Sequence, residues 1–545
     1  MKKICESCGA EFLIEKDDEI FYEKMGVPSP RNCPDCRQQR RLASKNLRFL
    51  KYRKCDGTGQ KILSPYDPDS TFPVFENNFW WSDKWDAKDF GRDFDFSENF
   101  FPQFEKLFQK VPKMALIQQG ENENSKFCNG ASWNKNCYLM FVSNHNEDCQ
   151  YGFFVDRSKN CVDCFGVHKC EVAFDCIDCS SSYEIFHCYN LHNSNFAHFS
   201  INCRSCENVF ACIGLRNKKY HILNQPVSKE IFDNILKNPA EQKKILQKFG
   251  EIYKTTPRMF SEILNSEDCS GCYILNSKNA QNCFDVRDVE DCKFCSNLRS
   301  AQNCFDTTLY GMTGANELLY ECEGVGHGVF NILFSKLIWG GSSDIFYSYE
   351  CFSCKNLFGC VGLKNQEFCI LNKQFSREEY FELREKIILK MKQTGEFGEF
   401  FPVELSPFGY NETLAADYFP LLKAEVLAKN WKWSENQNQE NSAPPKNLPK
   451  IADADQKICD EILTCEKSGK NYRINLAEFL FYKKHGIELP KLHPEMRLQK
   501  QFSQRLPRKL FPRNCANCGA AVQSPYSPKK PEKVFCEKCY LKNIE

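Results

Sequence analysis

The chain has 545 residues, of which 42% are hydrophobic and 14% aromatic, including 47 Phe. That content excludes a disordered polymer and predicts about three or four packed domains. A net charge of +1 excludes a global polyelectrolyte, so any nucleic-acid surface has to be local. The start, MKKICESCGAEF, lacks an apolar h-region, and no run of about 18 apolar residues follows. The expected compartment is therefore the cytoplasm. There the 34 cysteines are expected as metal thiolates or buried thiols, not disulfides.

The predicted fold class is mixed and mainly β: a central duplicated Cys-rich β-solenoid flanked by two homologous zinc-ribbon modules, with helical covers and linkers. The N-terminal module spans 1–78. It carries Cys5, Cys8, Cys33 and Cys36 as two CxxC pairs with 24 residues between them. Two thiolates three residues apart on a tight turn reach one tetrahedral Zn²⁺, and a second such turn across a hairpin closes the site. Four protein ligands leave no open position, which favours structure over catalysis. In so small a module the metal supplies much of the folding free energy.

Behind Cys36 the run RQQRRLASKNLRFLKYRK holds eight Lys/Arg and no acid. Arg37, Arg40, Arg41, Lys45, Arg48, Lys51 and Arg53 are candidate phosphate contacts, with Phe49 and Tyr52 placed to stack on bases. A solvated helix, or a partner for the acidic aromatic connector that follows at 79–118, is the plainer reading of the same run.

The centre divides into a first solenoid half at 119–224, a helical cover at 225–264, a second half at 265–372 and a helical segment at 373–434. Asn136-Cys137, Asp148-Cys149, Asn160-Cys161, Asp175-Cys176, His187-Cys188 and Asn202-Cys203 lie 12, 12, 15, 12 and 15 residues apart. Taken two at a time, these predict coils of about 25 residues with cysteine ladders inside and Asn ladders at turns. The second half repeats the theme, from Asp268-Cys269 to Glu350-Cys351. SCENVFACIGLRNKKYHILN (205–224) matches SCKNLFGCVGLKNQEFCILN (353–372). Ser228 and Ser376 read as N-caps of covering helices. His145, His168, His187, His192, His198 and His221 lie among Asp148, Asp156, Asp163, Asp175 and Asp178. Turn and solvent positions account for these better than a sugar-cleaving or metal-assisted site.

A polar linker at 435–458 leads to the C-terminal module, 459–545. Shifted by 460 residues, the N-terminal segment lands on it without a gap: Cys5 on Cys465, Phe21-Tyr22 on Phe481-Tyr482, Arg37 on Arg497, and Ser64-Pro65-Tyr66 on Ser524-Pro525-Tyr526. The copies keep complementary sites. Cys515, Cys518, Cys536 and Cys539 form two CxxC pairs, whereas their counterparts are Cys55, Thr58, Glu76 and Phe79. Conversely, the first site's counterparts are Cys465, Ser468, His493 and Met496. Two structural Zn²⁺ per chain are therefore expected. The second basic stretch adds Arg497, Lys500, Arg508, Lys509 and Arg513 as candidate nucleic-acid contacts.

The run CESCGAEF…FYEKMGVPSPRNCPDCRQQRRL, with SPYDPD, WWSDKWD and the NCYL-type repeats, resembles a bacterial family with terminal zinc ribbons and a Cys-rich repeat centre. The resemblance covers most of the chain and implies architecture, not an activity. In that family a second ribbon follows the first; here Thr58, Glu76 and Phe79 interrupt it. The sequence therefore favours a zinc-dependent, non-enzymatic binding protein contacting RNA, DNA or a ribonucleoprotein. A protein–protein scaffold and a carbohydrate-active solenoid enzyme are the alternatives. Oligomeric state is left open.

Overall fold

The computed structural model describes residues 1–310, 314–435 and 447–544. It is mixed and rich in strands, with 12 α-helices among the described residues. None of those helices is long and apolar enough to cross a membrane. Of the linker expected at 435–458, residues 436–446 lie outside the described part.

Two stacks of short parallel strands occupy the centre. In the first, each pass pairs with the next at a constant offset of 12 residues: Tyr138 with Gln150, Glu171 with Tyr183, Asn195 with Glu207. The expected period of about 25 was therefore two passes counted as one. In the second stack some passes also advance by 12, as Ser343 to Lys355. Others advance by 11, 15 or 13: Ile263 to Ile274, Ala301 to Asn316, Phe330 to Ser343. Those irregular passes explain why the two halves align only with small insertions.

The finer period is three. Every third residue of the first stack has positive φ, for example Asn136 at 53°, Leu139 at 53° and Val142 at 50°. This left-handed conformation is costly for most side chains and least so for Asn and Asp. The residue after each such corner points inward, and every cysteine of the first stack is one of these. The Asn/Asp–Cys dipeptides are thus corner residue plus inward residue.

Small inward residues keep the interior narrow: Cys161, Ala173, Ile185, Ala197 and Val209 stack in one column. Met140 fits because Gly152 lies above it; a Cβ on Gly152 would stand 2.5 Å from the Met140 methyl. Inward thiols also satisfy the backbone. Cys149 Sγ donates to Glu147 O at 3.3 Å, and Cys176 Sγ to Phe174 O at 3.3 Å. Serines at equivalent places do the same, as Ser158 to Asp156 O at 3.0 Å, and accept the N–H of the next pass, Cys170 N, at 3.2 Å. At the corners Asn124, Asn136 and Asp148 form a chain of side-chain hydrogen bonds at 2.9 and 3.1 Å.

Both stacks end alike. Asn224 bonds both backbone groups of Ile213 at 2.8 Å, and Asn372 those of Val361 at 2.8 Å, each standing in for a further strand. A helix then covers the end, which protects the open edge. Ser228 caps Lys229–Leu236, whose Phe232 is buried on Phe210 and Ile222. Ser376 and Glu379 form a capping box on Arg377–Thr394. The acidic aromatic connector lies on the second stack rather than on the basic run: Trp80 meets Phe352 at 5.5 Å, Phe100 meets Phe358 at 5.4 Å and Phe108 meets Tyr349 at 5.1 Å.

This packing sets a size limit on the interior. Cys176→Ser is expected to cost about 1 kcal/mol, because a hydroxyl keeps the bond to Phe174 O. Cys176→Phe is expected to cost about 3 kcal/mol or more through overpacking. Urea midpoints of the two variants measure the difference.

Candidate metal centres and the clamps beside them

Each end of the chain gathers four cysteine sulfurs. Cys5 and Cys8 sit on the turn of a hairpin between strands Lys2–Ile4 and Glu11–Leu13. Cys33 is the N-cap of helix Pro34–Leu42 and Cys36 lies in its first turn. At the other end Cys515 and Cys518 sit between strands Phe511–Asn514 and Ala521–Ser524, and Cys539 lies in the first turn of helix Glu537–Ile544. The second pair of each site therefore comes from a helix N-terminus and not from a second hairpin. Helix dipoles favour thiolates there.

The donor sets fit zinc. Four thiolates about 2.3 Å from one Zn²⁺ in a tetrahedron stand roughly 3.8 Å apart. Cys8 and Cys33 Sγ are 3.8 Å apart, and Cys518 and Cys536 Sγ 3.7 Å. In each group all four sulfurs lie within 4.8 Å of one another, which no other group among the described residues matches. Backbone donors support the sulfurs: Cys33 N reaches Cys5 Sγ at 3.2 Å and Cys536 N reaches Cys515 Sγ at 3.2 Å. A hydrogen bond from Cys36 lowers the Cys33 thiol to about 5. Burial raises Cys515, but the backbone N–H groups of Cys518 and Cys536 outweigh it and hold that thiol at about 6. Zinc bound here would supply structural cross-linking.

The two lapsed sites keep the turn without the ligands. Cys55 Sγ still accepts from Thr58 N at 3.4 Å and Glu76 N at 3.3 Å, and Cys465 Sγ from Ser468 N at 3.4 Å. Packing occupies the positions of the missing ligands. Phe79, in the place of Cys539, lies on Gly57, where a Cβ would come within 2.5 Å of its ring. Met496, in the place of Cys36, packs into the cluster around Leu463 and Tyr472. His493 is a helix N-cap whose Nδ1 accepts from Glu495 N at 3.1 Å.

The basic stretches are placed differently from expectation. Arg37 Nη2 reaches Asp306 at 2.7 Å, and Arg41 Nη1 reaches Glu321 at 2.9 Å, all four side chains being almost fully buried. Arg40 pairs with Glu321 at 3.1 Å and Glu399 at 2.5 Å, Lys45 with Glu323 at 2.9 Å, and Arg48 with Asp417 at 2.8 Å. Lys51 meets Asp67 and Glu412, and Arg53 meets Asp56. In the second stretch Arg497 pairs with Asp163 at 2.5 Å and Glu478 at 3.1 Å, Lys500 with Asp175 at 3.0 Å, and Arg508 with Asp285 at 2.9 Å. Arg513 bonds Ser527 O and Glu532 O. Only Lys500 and Lys509 of these candidates are exposed. The others face protein carboxylates or carbonyls, which corrects the expectation of a phosphate-facing surface.

These pairs form one contact made twice and crosswise. Arg37 and Arg497 are 460 residues apart, and Asp306 and Asp163 are 143 apart, the offsets of the two duplications. The N-terminal module thus clamps the second stack, where Phe21 also stacks on Phe305 at 3.8 Å, and the C-terminal module clamps the first. Each module also joins the start of the other stack: Val74 pairs with Lys113, and Val534 with Arg258. Sequence reasoning missed Asp163 and Asp306 as clamp partners. Their signal was the matched Cys161-Val162-Asp163 and Cys304-Phe305-Asp306.

A family described as a probable treble clef domain matches residues 1–45. No curated protein matches the chain. The chain thus carries a treble clef zinc-binding domain at its N-terminus and a second four-cysteine site near its C-terminus.

Metal analysis of the purified chain is expected to give two zinc, falling to one in Cys8→Ser and one in Cys518→Ser. Arg37→Met is expected to cost about 3 kcal/mol, because it removes the 2.7 Å partner of buried Asp306 and leaves it only Arg41, 3.4 Å away. Adding Asp306→Leu should recover part of that loss in urea midpoint.

Proposed function

We propose that this chain is a zinc-dependent, non-enzymatic binding protein. Two structural zinc ions hold modules that fasten two β-solenoid halves into one frame, and the frame carries the ligand. The observation behind this reading is the crosswise clamp: Arg37 on Asp306 and Arg497 on Asp163, each buried and each linking a terminal module to a stack. The 12-residue parallel register supports the solenoid description. Sites with four protein ligands suit a structural metal. A cytoplasmic location suits the absence of disulfides among the described cysteines.

The enzyme alternative loses support because the acids a sugar-cleaving cleft would use are engaged: Asp163 with Arg497, Asp178 with Arg505, Asp285 with Arg508. Contact with RNA, DNA or a ribonucleoprotein is the second reading, favoured by exposed Lys500 and Lys509. The two readings differ in salt dependence. Fluorescence anisotropy of a labelled single-stranded RNA is expected to show at most weak binding, with a log–log salt slope near one or below. A slope of about four or steeper would reinstate phosphate-backbone binding as the main function.

A further inference from the structure

The two stacks meet across a cleft of about 220 Å³. One wall is a column with one residue per pass, in which Asp156, His168, Ser180 and His192 follow each other at 12-residue steps. The other wall carries Arg287 and Arg299, which are direct register partners. The backbones of such partners lie about 4.8 Å apart. Like charges carried by directly opposed residues repel, and the more so where water is partly excluded.

The other charged groups on this cleft are matched. Arg505 holds Asp178 at 2.8 Å, Arg508 holds Asp285 at 2.9 Å, and Arg204 holds Glu262 at 3.3 Å. Arg287 and Arg299 line the cleft without an ion pair or side-chain hydrogen bond among the described residues. Burial pushes the Arg299 guanidinium down from its usual value; Asp156 and Asp288 oppose this, and Arg287 and Arg157 add to it. On the facing wall His168 lies 3.1 Å from Asp156 Oδ2, while Oδ1 is buried with no hydrogen-bond partner. The cleft thus holds two guanidiniums without a hydrogen-bonded carboxylate on one side and one carboxylate oxygen without a hydrogen bond on the other.

We propose that this cleft binds a small phosphate-bearing molecule. Its oxyanion bridges Arg287 and Arg299, and a hydroxyl or amino group of the same molecule donates to Asp156 Oδ1. Guanidinium forks match the oxygens of a tetrahedral dianion and would lose their mutual repulsion on binding it. The cleft is smaller than the roughly 300–1,000 Å³ of common ligand pockets, which selects a monophosphate of a few carbons over a nucleotide or a nucleic-acid chain. The proposal rests on reading the paired stacks as a binding frame and names what that frame holds.

The test uses the full-length, zinc-loaded chain and follows its melting temperature at constant ionic strength. The probes are glycerol 3-phosphate, inorganic phosphate and, as a control, chloride. A saturable rise is expected with both phosphates and none with chloride. Arg287→Gln and Arg299→Gln should each weaken half-saturation about tenfold or more, as loss of a charge-assisted hydrogen bond implies. Asp156→Asn should weaken the ester and spare inorganic phosphate, separating the ester from the free ion. Without ligand, Arg287→Gln should melt no lower than the parent, since it removes a repulsion. No saturable rise below about 10 mM of either phosphate, or equal rises in parent and arginine variants, would overturn the proposal. Two zinc per chain beside such a failure would sink this site alone; missing zinc would sink the wider reading.

Discussion

A buried guanidinium–carboxylate contact, made once at each end, organises this molecule. Arg37 on Asp306 and Arg497 on Asp163 each take a charge from a terminal module and bury it against a stack of the core. Burying charge is expensive, and such pairs add little net stability over an apolar isostere. What they fix is register and orientation, because an arginine fork left unpaired in that interior would cost several kcal/mol. The stacks themselves offer many nearly equivalent passes, so a module resting on them by apolar contact alone could settle one pass away. The clamp removes that freedom.

Metal and packing support the same clamp in different copies. In the first copy the arginine helix starts at Cys33 and Cys36, so a metal held there would fix its position. In the second, His493 caps the equivalent helix and Met496 packs in the position of Cys36. The reverse holds at the other pair of sites, where Cys515, Cys518, Cys536 and Cys539 keep the four-sulfur set and Phe79 packs in the position of Cys539 on the opposite copy. A duplicated module needs its geometry more than its zinc, and either device supplies that geometry.

Much of this was legible. The 460-residue offset gave both donor sets and both lapsed sites, because ligand spacing is a local property. The stacks were only partly legible. Spacings of 12 and 15 were read as strands of a long coil, although both are multiples of three. Every Asn/Asp–Cys dipeptide of the two stacks is a left-handed corner followed by an inward thiol, a rule visible in residue types but not in hydrophobic alternation. The basic runs misled for a different reason. Charge in sequence carries no record of where its partner lies, and Asp306 and Glu321 are more than 250 residues from the arginines they hold.

The central claim is that zinc holds two of four structurally equivalent knuckles and packing holds the other two. Hydrogen exchange of the intact chain, before and after chelation, tests it directly. Exchange should rise across residues 1–45 and 511–544, including the Pro34–Leu42 helix that carries Arg37, while residues 51–81 and 463–504 keep their protection. Equal loss of protection in all four segments, or no change in any, would contradict the account.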